Sequence, residues 1–231
     1  MKIYATKIFD ISKEKLEELS LLITRERKLR IERFIYREDK IRTLIGEILA
    51  RTVIAKELGI INKHIIFDKN QYGKPYLKSH PEINFNISHS GNLVACVIDN
   101  KPVGIDVEQV KHIEYEGIAE SFFSARELEN IYKKDLCRQI GEFYRIWTLK
   151  ESYVKCCGQG LSIPLKSFSI SIDSSDKIRS VIDSKYSEHI FNTFEVEPDY
   201  KIAVCSISKE VINDIIMVGQ RNLINNFIDL S

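Results

Sequence analysis

Val103-Gly104-Ile105-Asp106-Val107-Glu108 sets a row of apolar side chains against two carboxylates. Side chains of a strand alternate between faces, so Val103, Ile105 and Val107 point one way and Asp106 and Glu108 the other, roughly 7 Å apart along the chain. Both acids can then reach one hard cation. An isolated D-x-E is ordinarily a half-buried strand with a solvated acidic face, so the surroundings must decide.

Working outward, residues 65 to 108 read as strands between turns: Ile65 to Phe67, Tyr76-Leu77, Ile83 to Ser88, Leu93 to Ile98 and Val103 to Glu108. Asp99-Asn100-Lys101-Pro102 is a turn by composition, which predicts a hairpin between the last two strands. Asn86-Ile87-Ser88-His89-Ser90-Gly91 places polar groups at a strand end, where amides and small hydroxyls can meet an oxyanion. A histidine beside serines is more often structural, and its role depends on its partners.

Downstream, a helical pattern from about Ile113 to Lys134 carries Phe122-Phe123-Ser124-Ala125-Arg126-Glu127. A longer one runs from about Arg138 to Cys157, with Phe143, Ile146, Trp147 and Val154 as apolar positions. Trp147, Glu151 and Lys155 recur at i, i+4 and i+8, in one row along that helix. Alone, Glu151 and Lys155 form an ordinary helical ion pair worth about 0.2–0.5 kcal/mol. Gly158-Gln159-Gly160 breaks the helix, and strands near Phe168 to Ile172, Phe191 to Val196 and Tyr200 to Ile207 follow.

Upstream, Ser12 caps a helix with Leu16, Leu19, Leu22 and Ile23 at helical spacing. It runs into a charged stretch, Arg25 to Arg42, with eight basic residues against four acidic ones. Such a run is usually a solvated face, although a local excess of this kind can hold an anion. A long amphipathic helix follows through Ile41, Leu44, Ile45, Ile48, Leu49, Thr52 and Val53 and ends at Gly59. Leu93-Val94-Ala95-Cys96-Val97-Ile98 is echoed by Ile202-Ala203-Val204-Cys205-Ser206-Ile207, which suggests two similar units. We expect an α+β fold with a pseudo-twofold arrangement of two α+β subdomains, residues 1–103 and 104–231, and the active site at their interface.

The bulk numbers agree with such a fold. With 231 residues and 44% apolar composition the chain can build a substantial core. Lys plus Arg number 34 against 33 Asp plus Glu, so no global field argues for nucleic acid or an acidic membrane. The first residues lack the apolar stretch of a signal peptide, and the longest apolar run is too short to span a bilayer. A soluble cytoplasmic protein is expected. The five cysteines form no C-x-x-C pair and read as reduced packing residues.

Gly104-Ile105-Asp106-Val107-Glu108, a gap of forty-three residues from Glu108 to Glu151, and Trp147-Thr148-Leu149-Lys150-Glu151-Ser152-Tyr153-Val154-Lys155 together resemble the 4'-phosphopantetheinyl transferases, most of all their larger, surfactin-synthetase-activating type. Gln71-Tyr72-Gly73-Lys74-Pro75, Phe85 to Ser90 and Phe122-Phe123-Ser124 resemble further landmarks of that family. The resemblance runs from the first strand to about Ile207. It implies transfer of the phosphopantetheine arm of coenzyme A to a serine of an apo acyl, peptidyl or aryl carrier protein, with release of adenosine 3',5'-bisphosphate. It also implies Mg²⁺ on Asp106, Glu108 and Glu151, which suits that ion's preference for oxygen ligands.

Lys155 would stabilise the leaving phosphate, and Glu151 or a metal-bound water would take the serine proton, with Glu127 in reserve. Arg27 and Arg30 match positions that face the 3'-phosphate and are commonly lysine in relatives. Thr43, Lys74, Ser88 and His89 match further contacts to coenzyme A. The resemblance further implies a monomer, and the charge balance and short apolar runs argue for no nucleic-acid or membrane partner. A non-catalytic module binding coenzyme A or a carrier is the alternative, disfavoured because simple binding needs no metal shell. A metal nuclease would need a wide basic surface, which the charge balance opposes.

Overall fold

The computed structural model describes residues 1–173, 177–182, 185–208 and 214–231. The first half comprises β1 (Lys2–Lys7), α1 (Lys13–Ser20), α2 (Arg25–Glu32), α3 (Arg37–Leu58), β2 (Phe67–Lys69), β3 (Pro75–Leu77), β4 (Asn84–Ser90) and β5 (Leu93–Asp99). The second begins with β6 (Val103–Gln109), α4 (Glu116–Phe122), α5 (Ala125–Tyr132) and α6 (Leu136–Cys157). It continues through β7 (Ser169–Ile172), β8 (Ile178–Ile182), β9 (Lys185–Tyr186), β10 (Ile190–Phe194) and β11 (Tyr200–Ser206), and β12 (Ile216–Met217) and α7 (Gln220–Asp229) follow.

Caps account for the helix boundaries. The Ser12 hydroxyl accepts the Lys15 amide at the start of α1, as its sequence predicts. The charged run does not continue that helix, because Thr24 accepts the Arg27 amide and starts α2 afresh. Gly59, at φ +65°, ends α3 in the left-handed region. The stretch expected as one helix from Ile113 to Lys134 is two, divided where Ser124 and Glu127 form a capping box.

The halves repeat one plan. In the first, the strand order is β1-β5-β4 with α3 on one face; in the second it is β6-β11-β10 with α6 on one face. First strand matches first strand, and the two 22-residue helices correspond. The echoed segments lie on β5 and β11, the central strands, and Cys96 and Cys205 each face the helix of their own half. Alternation does the rest: Ile3, Ala5, Leu93, Ala95 and Val97 pack against Val103, Ile105, Val107, Ile202 and Val204, so the two sheets bury their other faces against each other. The fold is α+β with pseudo-twofold halves.

The expected hairpin between β5 and β6 does not form. Both edges of β5 are taken by β1 and β4, and β6 crosses over to pair antiparallel with β11. The free edge of β6 then meets β4 without a backbone ladder. The amides of Ile105, Val107 and Gln109 donate to Asn86 Oδ1, Ser88 Oγ and Ser90 Oγ at 2.9, 3.2 and 3.1 Å. Each pair is separated by 19 residues, so the two strands run side by side in the same direction, joined by a comb of side chains.

The end of the chain returns to the first half. β12 lies parallel to β1, and Leu223, Ile224 and Phe227 of α7 enter the core around α3. A division at residue 104 therefore misassigns residues 216–229, whose apolar face completes the first core and not the second.

Candidate active site

Gly104 brings β6 and α6 into direct backbone contact. A Cβ there would lie 2.2 Å from the Ser152 carbonyl oxygen and 2.4 Å from the Cys156 nitrogen. Asp106 and Glu108 share the Gly104 face, so they emerge beside Glu151 and Lys155 on the next turns of α6. Lys150 fixes the helix rotation: its ammonium is fully buried, 3.0 Å from Glu127 Oε2, and donates to the carbonyls of Leu165 and Phe168 at 2.8 Å each. With Lys150 turned inward, its neighbour Glu151 turns toward the cavity.

The comb holds the acids as well as the strand. Ser88 Oγ donates to Asp106 Oδ1 at 3.0 Å, and Ser90 Oγ donates to Glu108 Oε2 at 2.8 Å. Lys155 Nζ donates to Asp106 Oδ1 at 2.5 Å and to Ser88 Oγ at 3.0 Å, reaching across the seam instead of along its helix to Glu151. Asp106 is 3% exposed, and its Oδ2 is buried without a partner among the described residues. Burial, then the charge of Asp106, raises the pKa of Glu108 and likewise that of Glu151. Three crowded carboxylates and one unmet buried oxygen suit a hard cation. As placed, their oxygens do not form a set within 4.8 Å of one another; Asp106 is held by Ser88 and Lys155, and Glu108 by Ser90.

These groups line a cavity of about 620 Å³ that crosses the seam between the halves. Of the residues expected from sequence, Arg27, Arg30, Thr43, Ser88, His89, Asp106, Glu108, Glu151 and Lys155 all face it. Arg27 is bound by Glu47 Oε2 at 2.8 Å, whereas Arg30 has no partner among the described residues. Burial lowers the His89 pKa, which favours the neutral imidazole.

Two expected residues lie elsewhere. The Lys74 ammonium donates to the carbonyls of Val103, Lys155 and Cys156 at 3.0, 2.7 and 3.4 Å, closing the last turn of α6 against β6. Its ammonium is spent on this cap, and Lys74 lines a smaller neighbouring cavity that shares Gly73, Pro75, Glu151 and Lys155 with the main one. Glu127 is fully buried, accepting the amides of Ser124 and Ile170 at 2.7 Å each besides its ion pair with Lys150. With both oxygens engaged there it cannot serve as the base. Sequence reading also missed Glu47, buried in α3 and held by Arg51 Nε at 2.7 Å. Its signal was an i, i+4 Glu-Arg pair inside an apolar helix.

Three carboxylates and a lysine on the seam of a two-half fold suit transferase chemistry, and comparison with known proteins shows that the chain belongs to the 4'-phosphopantetheinyl transferase superfamily. The model of that superfamily matches residues 102–205, and the model of the 4'-phosphopantetheinyl transferase N-terminal region matches residues 9–101. Similarity to 4'-phosphopantetheinyl transferase Sfp of Bacillus subtilis (strain 168) is 38% identity over 97% of this chain and 100% of that one. The gsp enzyme of Aneurinibacillus migulanus, also a 4'-phosphopantetheinyl transferase, is 36% identical over 91% of this chain and 88% of its own. A solved holo-(acyl-carrier-protein) synthase from Bacillus anthracis, in complex with CoA (3',5'-ADP), aligns at 18% identity over 46% of this chain and 93% of that chain, with a TM-score of 0.39. The protein is thus a 4'-phosphopantetheinyl transferase enzyme, similar to Sfp over nearly its whole length.

Proposed function

We propose that the enzyme moves the 4'-phosphopantetheine arm of coenzyme A onto a serine hydroxyl of an apo acyl, peptidyl or aryl carrier protein, in the presence of Mg²⁺, and releases adenosine 3',5'-bisphosphate. The observation that carries this reading is the orphaned Asp106 Oδ2, buried beside Glu108 and Glu151 in the wall of a cavity that Arg27 and Arg30 also line. Asp106, Glu108 and Glu151 would hold the Mg²⁺. When bound, Mg²⁺ neutralises charge on the pyrophosphate of coenzyme A.

The chain's own side chains do the remaining work. Arg30, and Arg27 once released from Glu47, hold the 3'-phosphate in planar two-pronged contacts. Thr43 and the neutral His89 donate to the nucleotide from the same wall. Lys155 lies beside Asp106 in the resting arrangement. Its ammonium follows the pyrophosphate and stabilises charge as the bond between the transferred phosphorus and the bridging oxygen breaks. Glu151 accepts the proton of the attacking serine directly or through water. In this reading the half at 1–103 supplies the nucleotide contacts and the half from 104 the carboxylates and catalytic helix.

The test is incubation with coenzyme A, Mg²⁺ and apo acyl, peptidyl and aryl carriers, followed by intact-mass measurement. One added phosphopantetheine per carrier is expected. No addition to any of the three refutes the reading.

A further inference from the structure

Cys156, Cys205 and His189 lie toward the Gly104 end of the packing between α6, β6 and β11, displaced along the strands from Asp106 and Glu108, and the transfer reaction gives them no task. Their sulfur and nitrogen ligand atoms all lie within 4.8 Å of one another, the one such group among the described residues. Each comes from a different place in the chain: the last turn of α6, the end of β11, and the residue before β10. Packing alone explains Cys205, which matches Cys96 of the other half. It does not explain an imidazole brought against two thiols.

The imidazole is oriented for a ligand. His189 Nδ1 lies 3.1 Å from Ser187 Oγ, and that hydroxyl also accepts the His189 amide and meets Ser180 Oγ at 2.5 Å. The ring is thereby turned so that Nε2 faces the sulfurs, 3.9 Å from Cys157 Sγ, and the ring of Tyr153 packs edge-on against it at 4.8 Å. A metal-binding histidine is ordinarily fixed in this way, through a hydrogen bond on its other nitrogen.

We propose that Cys156, His189 Nε2 and Cys205 form a binding site for one thiophilic divalent cation of the zinc type, separate from the carboxylate site. A tetrahedral zinc with Zn–S near 2.3 Å and Zn–N near 2.0–2.1 Å spaces its ligand atoms roughly 3.5–3.8 Å apart. Ligand atoms already within 4.8 Å need draw in by only about 1 Å, a matter of side-chain torsions. The hydrogen bond from Cys205, with help from His189, pulls the Cys156 thiol down to about 6 despite its burial, and the same contact holds His189 up at about 9, so cation binding displaces the imidazole proton. The soft sulfur pair disfavours Mg²⁺, which takes oxygen ligands, so the two sites select different metals. A bound cation would tie the end of α6, one residue past Lys155, to β11 and to the segment before β10.

Titration of the reduced, metal-free full-length enzyme with Co²⁺ tests this by optical spectroscopy. One equivalent is expected to develop a thiolate-to-cobalt charge-transfer band together with intense tetrahedral d–d bands, and equimolar Zn²⁺ is expected to abolish both. The carboxylate site, with oxygen donors, gives no charge-transfer band. Cys205→Ser and His189→Ala are each expected to weaken Co²⁺ binding at least tenfold, while Cys137→Ser, at an exposed thiol far along α6, leaves it unchanged. Far-ultraviolet circular dichroism of each variant confirms that it is folded. No charge-transfer band in the wild-type enzyme, or a band that survives both Cys205→Ser and His189→Ala, overturns the proposal. So does loss of the band on oxidation-resistant, folded Cys137→Ser. These readouts do not involve transfer activity, so they stand or fall apart from the proposed function.

Discussion

Gly104→Ala joins packing to catalysis in one substitution. The added Cβ would meet the Ser152 carbonyl at 2.2 Å and the Cys156 nitrogen at 2.4 Å, where ordinary contact begins at 3.4 Å. Both obstacles are backbone, so no side chain can swing aside, and α6 must retreat from β6 by about 1 Å locally. Overpacking of this kind costs on the order of 3 kcal/mol, which lowers the Tm of a chain this size by roughly 6–12 °C. The retreat also carries Glu151 and Lys155 away from Asp106 and Glu108. A misplacement of about 1 Å is enough to reduce a rate about 10²-fold. The assay is carrier modification followed by intact mass under saturating coenzyme A, well below the lowered Tm, so that unfolding does not enter. A fall in rate of about two orders of magnitude in folded protein is expected. Wild-type Tm and wild-type rate together would refute the claim that contact between these two backbones places the site.

Lys150→Met removes the cation from a fully buried pair and leaves Glu127 charged in the core, which costs about 3–5 kcal/mol; adding Glu127→Gln should restore much of the Tm, and no restoration would mean that the two residues act separately. Arg27→Ala should weaken coenzyme A at least tenfold while leaving its 3'-dephospho analogue nearly unchanged, measured by calorimetry; equal losses would remove Arg27 from the 3'-phosphate. Burial, with the charge of Asp106 beside it, raises the Glu108 pKa above 4.5, so the folded state holds this proton more tightly than the unfolded chain. Glu108 therefore destabilises the metal-free enzyme at pH values above its folded pKa, and that penalty vanishes as pH falls below 4.5. Without added divalent cation, Glu108→Gln should melt higher than wild type at neutral pH, with the gap closing toward pH 4.5; a gap that widens on acidification would contradict the cause assigned.

Much of the site was readable because its chemistry is local in sequence. Asp106 and Glu108 follow from strand alternation, and Glu151 and Lys155 from helical spacing, which are two short-range periodicities. Lys74 and Glu127 were misplaced because motif position says nothing of where a long side chain ends. Lys74 finds three carbonyls at the end of α6, and Glu127 finds a capped helix and a buried lysine. The hairpin failed for a related reason. A turn at 99–102 is consistent with strand pairing across it, but which edges are free depends on β1 and β11, distant in sequence. Residues 216–229 carried no motif, and their place beside β1 and α3 is a matter of packing alone.

The comb between β4 and β6 shows why the carboxylates sit where the halves meet. A continuous backbone ladder there would have used the β6 amides on β4 carbonyls and left no hydroxyl near the acids. Substituting side-chain oxygens for carbonyls lets Ser88 and Ser90 each receive a β6 amide and donate to a carboxylate. Asp106 and Glu108 are thus fixed through the first half although the second half carries them. Any shift of one half against the other must break amide and carboxylate bonds together, which couples the cavity wall around Arg30 and Thr43 to the acids. The alternation N-x-S-x-S from Asn86 to Ser90 and the alternation D-x-E from Asp106 to Glu108 are therefore two sides of one contact, matched at the two-residue period of a strand.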